Sequence, residues 1–476
     1  MSQPPRKPAG RPPAGKRPNN PKPARKGEDT RPARTHKAHH GLVPRRIAAD
    51  IVDGVLFHGR PFDATLDEEG IAADFKRLTG RDRALTTMIS QTALRQLGFL
   101  RDVVSARLQK PLPKRSGRTL PILIVGAAQI LFLDIPAHAA VDMAVRDAAQ
   151  DLNARHFRNL VNAILRAIAR EADTIKARDD KSALNTPDWL AARWRAHYGD
   201  DVATAIMASH GEIPPLDFCV PEDADAWAEK LGGKAITPRT VRLGQAGRIA
   251  GREGFEEGRW WVQDVAATLP VQLLGDVAGL EVADLAAAPG GKTMQLAALG
   301  ARVTAVDRSA SRMARLSENL KRLNLKAETV VADLRKWDPQ AKFDAILLDA
   351  PCSATGTIRR HPDIPWLRGP EDFAPMAALQ TELLTRAAAW LKPGGKLVFA
   401  TCSLEREEGE GAVAAALAAG ARLKVDMLDA SEVSQVPGAL TADGFLRTRP
   451  DMAVKAPDGS LNPGLDGFFA ARLISD

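Results

Sequence analysis

The chain has 476 residues, of which 45% are hydrophobic and 26% are charged, and this ordinary composition excludes a wholly disordered chain or a disulfide scaffold. Its formal net charge of +8 is unevenly spread, because residues 1–40 hold eleven Lys and Arg residues and only two acids. The length predicts about three domains.

The first predicted segment, residues 1–40, is a basic tail. It contains nine prolines and almost no large apolar side chains. Such a segment cannot bury enough surface to offset its ordering entropy, so we predict that it is disordered. A cationic arm attracts polyanions, most often nucleic acid. The alternative is a solubilising tail without a specific partner.

Residues 41–172 have apolar side chains three and four residues apart, which predicts an all-helical bundle. The periodic positions are Ile47, Ile51, Val52, Val55 and Leu56 near its start and Phe157, Leu160, Val161, Ile164, Leu165 and Ile168 near its end. The most apolar stretch, residues 120–133, is shorter than the about 18–20 residues that cross a bilayer. It predicts a helix buried in a core, and we expect no membrane association.

Residues 173–262 have a mixed pattern. A helical segment begins near Pro187, and two short candidate strands lie at residues 216–220 and 241–243. We predict a small α/β subdomain that connects the helical bundle to the rest of the chain.

Strand and helix patterns alternate from residue 263 to residue 476, which predicts a mainly parallel, doubly wound α/β sheet. The predicted strands are residues 280–285, 303–307, 329–333, 343–349 and 396–402, and the predicted helices are residues 293–299, 311–323 and 372–391. Ligands of such sheets bind at the carboxyl ends of the strands. The polar residues at those ends are Asp307, Asp333, Asp349 and Cys402.

A loop of small residues follows the first predicted strand, with the sequence Ala286-Ala287-Ala288-Pro289-Gly290-Gly291-Lys292-Thr293. It resembles the end of a nucleoside-triphosphate motif, but Ala286 stands where that motif needs glycine, and Pro289 lacks an N–H for phosphate. The G-x-G-x-x-G pattern of NAD sites is absent. S-adenosylmethionine needs no phosphate cradle. The acids Asp307, Asp333 and Asp349 supply carboxylates for its ribose, adenine and methionine groups, unless they only form turns.

Two of the three cysteines lie in motif-like surroundings at strand ends, in Asp349-Ala350-Pro351-Cys352-Ser353 and in Thr401-Cys402-Ser403. A thiol beside a cofactor pocket indicates nucleophilic catalysis, and the residues alone leave open whether Cys352 or Cys402 is the nucleophile. Cys219 has no such surroundings and is predicted to be a small buried residue. Three distant cysteines without a C-x-x-C pair predict a reducing compartment, the cytoplasm, and no metal centre.

Residues 263–476 resemble the RsmB/Nop/Sun family of RNA cytosine-5 methyltransferases. The matching motifs are Gln263-Asp264, Ala288-Pro289-Gly290-Gly291-Lys292-Thr293, Asp349-Ala350-Pro351-Cys352, Gly356-Thr357, Arg359-Arg360-His361-Pro362-Asp363, Ala400-Thr401-Cys402-Ser403 and Asp466-Gly467-Phe468-Phe469. Residues 41–172 resemble the NusB-like RNA-binding domain that is fused to bacterial members, and residues 161–166 match its closing helix. The resemblance covers about residues 43–476.

This resemblance implies a Rossmann-like class I methyltransferase domain with S-adenosylmethionine as its cofactor. It implies that Cys402 attacks C6 of cytosine and that Cys352 helps Cys402 to leave. It also implies that Asp349 contacts N3 of the base and that Lys292 orients Asp349 and the methionine end of the cofactor. The implied cofactor-binding residues are Ala286, Ala287, Ala288, Pro289, Gly290, Gly291, Lys292, Asp307, Arg312, Asp333 and Asp349.

The resemblance also implies an RNA substrate, small-subunit rRNA, with the target cytosine unpaired or flipped out of its helix. His361 would contact an RNA phosphate or structure a turn. Nothing in the sequence requires more than a monomer. The alternative function is a ribosome-assembly factor that binds rRNA and keeps the fold without turnover. The joint presence of Cys402, Cys352, Asp349 and Lys292 favours the enzyme, because a binding module has no need for this set.

Overall fold

The computed structural model describes residues 41–244, 249 and 251–476. The predicted basic tail, residues 1–40, lies outside the described residues, so its disorder and its partner stay predictions. Among the described helices, none is both long enough and apolar enough to cross a membrane.

Helices make up the first part of the described chain, as predicted. They are α1 (Leu42–His58), α2 (Phe62–Leu66), α3 (Glu69–Arg77), α4 (Gly80–Arg95), α5 (Leu97–Ser105), α6 (Thr119–Phe132), α7 (Ala137–Gln150), α8 (Arg158–Arg170), α9 (Ala172–Lys176) and α10 (Lys181–Leu184). Local sequence sets their ends: Thr79 caps α4 by accepting a hydrogen bond from the Asp82 N–H at 3.1 Å. Helix α6, the apolar stretch, packs against α1, α4, α5, α7 and α8 at the centre of the bundle.

A small antiparallel sheet with helices forms the middle part. Its elements are α11 (Asp188–Tyr198), α12 (Asp200–His210), β1 (Leu216–Cys219), α13 (Ala224–Leu231), β2 (Lys234–Thr237), β3 (Thr240–Leu243) and β4 (Trp261–Val262). The strand order is β2-β3-β1-β4, so both predicted strands are present, and β2 and β4 are additional. The buried Asp217 on β1 accepts two hydrogen bonds from Arg242 on β3, at 2.7 and 2.8 Å, which ties the two strands together.

The last part is built on an eight-stranded sheet with helices on both faces. Its strands are β5 (Glu281–Leu285), β6 (Arg302–Asp307), β7 (Glu328–Val331), β8 (Phe343–Asp349), β9 (Leu391–Thr401), β10 (Leu423–Val425), β11 (Leu446–Arg447) and β14 (Phe469–Ser475). Its helices are α14 (Val265–Gln272), α15 (Gly291–Ala298), α16 (Ala310–Arg322), α17 (Ile364–Leu367), α18 (Phe373–Ala389) and α19 (Glu410–Ala418). A separate hairpin consists of β12 (Ala453–Lys455) and β13 (Leu461–Pro463).

The order of this sheet is β10-β14-β9-β8-β5-β6-β7, with β11 paired to β14. Strands β5 to β9 are parallel, which confirms the doubly wound prediction, whereas β10, β11 and β14 add antiparallel pairs. Two predicted strand ends need correction. Asp333 follows β7 by two residues, in a turn closed by its hydrogen bond from the Arg335 N–H, and Cys402 lies one residue beyond β9.

Strand β5 lies between β6 and β8, so the chain winds away from β5 in both directions. This arrangement leaves a crevice at the carboxyl end of β5, which is where open α/β sheets bind their ligands. The helical bundle, the small sheet and the large sheet pack as one compact unit over residues 41–476. The domain boundaries at residues 172 and 262 therefore stay predictions.

Candidate active site

The loop after β5 brings backbone close to the crevice. Gly290 has a φ of +107°, and a Cβ there would come within 2.6 Å of the Leu316 side chain, so only glycine fits. Helix α15 begins at the next residue. The loop therefore turns sharply between the end of β5 and α15, with small side chains facing the crevice.

Carboxylates stand at the ends of the neighbouring strands. Asp307, the last residue of β6, is 2% exposed and accepts hydrogen bonds from the Ala288 and Ser309 N–H groups and from Arg312 Nη2 at 3.0 Å. Hydrogen bonds from Arg335 lower the pKa of Asp333 to about 2, so this acid is ionised at neutral pH. These contacts fix three of the predicted cofactor-binding residues, Asp307, Arg312 and Asp333, around one opening.

A cavity of about 490 Å³ lies between these acids and helix α18. Its polar wall includes the acids Asp307, Asp333 and Asp349 and the cations Arg308, Arg312, Arg335 and Arg368, and its apolar wall includes Met376, Leu379 and Leu383 of α18. Charged groups of both signs on one side and apolar side chains on the other fit a nucleoside that carries a charged amino-acid tail. S-adenosylmethionine has this chemistry. We call this space the cofactor cavity.

A second cavity, of about 690 Å³, adjoins the first and is called the base cavity below. The residues that line both are Ala288, Arg312, Asp349, Ala354, Arg368 and Cys402. The predicted loop residues divide between the two: Ala286 lines only the cofactor cavity, whereas Ala287, Pro289, Gly291 and Lys292 line only the base cavity. Gly290 lines neither. The two spaces meet at Asp349 and Cys402, so a ligand in one can react with a ligand in the other at that point.

The two thiols predicted to be catalytic lie together. Cys352 Sγ and Cys402 Sγ are 3.5 Å apart, and both thiols are free. They are not equivalent, since Cys402 lines both cavities and Cys352 only the cofactor cavity. The hydrogen bond with Cys402, together with burial, raises the pKa of Cys352 well above its ordinary value. Cys352 therefore stays protonated and can donate a hydrogen bond to the Cys402 sulfur.

One buried acid that sequence reasoning missed, Glu408, ties the two cysteine loops together. It accepts hydrogen bonds from the Ser353 N–H at 2.8 Å and from Ser403 Oγ at 2.5 Å, and also from Ser353 Oγ. Gln380 donates to the same carboxylate at 3.2 Å. Because Ser353 follows Cys352 and Ser403 follows Cys402, Glu408 fixes the spacing of the thiols.

A cation–carboxylate pair stands beside the thiols. Lys292 Nζ donates a hydrogen bond to Asp349 Oδ2 at 2.7 Å and lies 4.9 Å from the centre of the Phe468 ring. Burial alone would lower the pKa of Lys292, but the attraction of Asp349 outweighs it and raises the pKa. Lys292 is therefore charged and holds Asp349 at the junction of the two cavities. The pairing that the resemblance implied is present in the structure.

Asp284, inside β5, is a second acid that sequence reasoning missed. It is fully buried, it lines the base cavity, and Thr293 Oγ1 donates a hydrogen bond to its Oδ2. Its Oδ1 has no partner among the described residues. Burial raises the pKa of Asp284 to about 7. The available signal was an acid between the apolar residues Ala283 and Leu285 of the strand, because a buried charge at such a position is costly.

Three separate motifs converge on one buried arginine. Arg359 is 2% exposed and pairs with Asp264 and with Asp466, the latter at 3.0 Å. Arg360 also pairs with Asp466, and its half-exposed side chain lines the base cavity with Cys402. The network holds Arg360 in the cavity that contains Cys402, which Lys292, Arg312 and Arg368 also line.

Two further predicted residues take no part in the contacts described so far. Cys219 is buried against the Gln263 carbonyl, lines neither of the two cavities, and has a pKa that burial raises. His361 is exposed and lines the base cavity, which leaves both predicted roles open.

Comparisons with known proteins agree with this architecture. A family model described as 16S rRNA methyltransferase RsmB/F matches residues 271–474, and a model described as NusB family matches residues 43–170. The chain is 34% identical to Ribosomal RNA small subunit methyltransferase B of Cronobacter sakazakii over 448 residues, which cover 90% of this chain and 98% of that protein. It is also 34% identical to the protein of the same name from Shewanella oneidensis over 445 residues, with the same coverage.

The fold has a counterpart among solved structures. The crystal structure of PH0851 matches with a TM-score of 0.67 and 24% sequence identity, and covers 90% of this chain and 98% of that one. The predicted NusB-like bundle, the α/β methyltransferase domain and the S-adenosylmethionine cofactor are thereby confirmed at the level of the family. The chain belongs to the RsmB/F family of 16S rRNA methyltransferases.

Proposed function

We propose that this protein methylates C5 of a cytosine in small-subunit rRNA, with Cys402 as the nucleophile. The observation that carries the proposal is the pair of thiols 3.5 Å apart where the two cavities meet, beside Asp349. The curated relatives are named as small-subunit rRNA methyltransferases, which supports the substrate. Bound S-adenosylmethionine supplies an electrophilic methyl group. C5 of cytosine is a poor nucleophile, so it needs activation before it can accept that group.

The position of the thiols favours Cys402 over Cys352 as the nucleophile. Cys402 lines the base cavity, and Cys352 does not. Lys292 and Arg360 add positive charge to that cavity. Cys352 Sγ lies 3.5 Å from the Cys402 sulfur, and its raised pKa keeps it protonated, so it can donate a hydrogen bond to that sulfur.

The covalent step follows from this arrangement. The Cys402 sulfur bonds to C6 of the cytosine, and the electron pair of the C5–C6 double bond becomes available at C5. The thiol proton moves to N3, where Asp349 accepts its hydrogen bond and balances the charge that develops on the ring. C5 would then form a bond to the methyl carbon of bound S-adenosylmethionine, while the bond from that carbon to sulfur breaks with its electron pair on sulfur and S-adenosylhomocysteine leaves. Lys292 keeps Asp349 in place throughout, since the two are joined at 2.7 Å.

Release restores the aromatic base. The C5 proton is lost to solvent, its electron pair re-forms the C5–C6 double bond, and the sulfur–C6 bond breaks with its pair on Cys402. The N3 proton then returns to the Cys402 sulfur, which restores the neutral base and the free thiol. Cys352 donates its hydrogen bond to the departing sulfur, and this contact stabilises the leaving thiolate.

We expect the protein to act as a monomer in the cytoplasm, with the basic residues 1–40 adding affinity for RNA.

The proposal is tested by transfer of labelled methyl groups from S-adenosylmethionine to unmodified small-subunit rRNA. We expect the label at one position of the rRNA. Nucleoside analysis of the product should identify the labelled nucleoside as 5-methylcytosine. Label in another nucleoside would contradict the cytosine chemistry. Tight rRNA binding without any label, on naked RNA and on assembled subunits, would favour the non-catalytic assembly factor.

Replacement of Asp307 tests the cofactor cavity. We expect Asp307→Ala to weaken S-adenosylmethionine binding by about tenfold to a hundredfold, because a hydrogen bond to a charged group contributes about 1.5–3 kcal/mol. Isothermal titration of the purified protein measures this affinity. The matched control is Asp344→Ala, because Asp344 also accepts a backbone hydrogen bond and pairs with a cation, Lys392, but lies at the amino end of β8. Equal affinity for wild type and Asp307→Ala would show that the cofactor binds elsewhere.

A further inference from the structure

The helical bundle supplies one wall of the base cavity. Gly59 and Pro61, from the connection between α1 and α2, line it together with Phe62 and Asp63, the first two residues of α2. Gly59 has a φ of +59°, which lets the chain turn out of α1 at this point. The bundle therefore forms part of the site where the substrate base must sit, in addition to any RNA contacts farther away.

This wall is held in a fixed position against the catalytic loops. The Phe62 N–H donates a hydrogen bond to Asp363 Oδ2 at 2.9 Å, and Asp363 is buried. A second tie lies behind it, where Arg95 of α4 donates to the Arg359 carbonyl at 2.6 Å. Both ties end on the segment that contains Arg360, so the wall and this cation keep a constant spacing.

The surroundings of Phe62 suit an aromatic side chain that stacks on a nucleic-acid base. It packs against the apolar core of the bundle and is only partly buried, which leaves part of the residue in the cavity. Val262 lines the same cavity and is 43% exposed. Apolar side chains left open among convergent polar groups are typical of a ligand-binding surface.

We propose that Phe62 stacks on the RNA base next to the target cytosine. The inference rests on the proposed function, because it takes the ligand of the base cavity to be RNA. A cytosine that leaves its stack to reach Cys402 exposes the face of its neighbour, and an aromatic ring can cover that face. Arg360 and Arg368 line the same cavity and offer positive charge to the phosphates on either side. The bundle would thus help to select where on the rRNA the enzyme acts.

The test compares three full-length variants with the wild type on unmodified small-subunit rRNA. Phe62→Ala removes the ring, Phe62→Trp keeps an aromatic surface, and Phe57→Ala is the matched control, because Phe57 is 57% exposed on α1 but does not line the cavity. We expect Phe62→Ala to raise KM for RNA by about tenfold with a much smaller change in kcat. We expect Phe62→Trp and Phe57→Ala to stay within about twofold of the wild type. Filter binding of the same RNA without cofactor should show the same order.

Two outcomes would overturn the proposal. In the first, Phe62→Ala matches the wild type in KM and in RNA affinity. In the second, Phe62→Ala and Phe62→Trp lose affinity equally and their unfolding temperatures fall together, which would show that Phe62 only supports the fold. RNA binding does not depend on turnover, so it decides the matter even if no methyl transfer occurs. If the wild type is active and Phe62→Ala has the wild-type KM and RNA affinity, the stacking role of Phe62 is rejected and the proposed function is unaffected.

Discussion

Cys402→Ala should reduce methyl transfer to small-subunit rRNA to background, a loss of at least about 10³-fold. Without the sulfur, no bond forms at C6, and C5 remains too weak a nucleophile to accept the methyl group. S-adenosylmethionine affinity should stay within about twofold of the wild type, because Asp307 and the apolar wall of α18 remain in place. Single-turnover assays with labelled cofactor measure the rate, and titration calorimetry measures the affinity.

The matched control for this variant is Cys219→Ala. Cys219 is also a free cysteine, but it lines neither the base cavity nor the cofactor cavity. We expect Cys219→Ala to retain the wild-type rate. If Cys402→Ala kept turnover while Cys352→Ala lost it, the assignment of nucleophile and helper would have to be reversed.

The parts of the site that sequence predicted are those fixed by local pattern. Asp307 and Asp349 end parallel strands whose apolar runs are recognisable, so their convergence follows from the fold. Asp333 also reaches the cofactor cavity, although a turn and not the strand itself carries it there. The approach of Cys352 and Cys402 follows in the same way, because they come just after adjacent strands β8 and β9.

The missed parts depend on contacts between distant segments. Glu408 belongs to the charged run Glu405-Arg406-Glu407-Glu408, which has the composition of a solvated surface. It is buried because Ser353, 55 residues earlier, and Ser403 both donate to it. Phe62 joins the base cavity through Asp363, 301 residues away. Neither burial nor cavity lining can be read from a local pattern when the partner lies that far along the chain.

These missed contacts also join the helical bundle to the methyltransferase domain. The base cavity takes its catalytic residues from the large sheet and one wall from the helical bundle. Arg95 reaches from the bundle to the backbone of Arg359, whose side chain in turn pairs with Asp264 and Asp466. Separating the two parts would expose this buried arginine network and open the cavity. The bundle is therefore part of the site's construction.

Cys352→Ala should accumulate a covalent RNA–protein adduct and lose multiple turnover. Attack by Cys402 on C6 does not require Cys352, so the bond forms and the methyl group is transferred. Departure of the Cys402 sulfur then lacks the thiol that lies 3.5 Å away and can donate a hydrogen bond to it. A denaturing gel of the variant with labelled cofactor and rRNA should show a slow band that carries both label and RNA, and nuclease treatment should remove the shift.

The double variant Cys352→Ala/Cys402→Ala is the control for this experiment. It carries the same substitution at Cys352 and also lacks the proposed nucleophile, Cys402. It should give no adduct, and neither should Cys402→Ala alone. An adduct in either of them would assign the bond to a different group and contradict the geometry in which only Cys402, of the two thiols, lines the base cavity. Free turnover by Cys352→Ala at the wild-type rate would show that the sulfur leaves without help, and Cys352 would then serve only to pack the cofactor cavity.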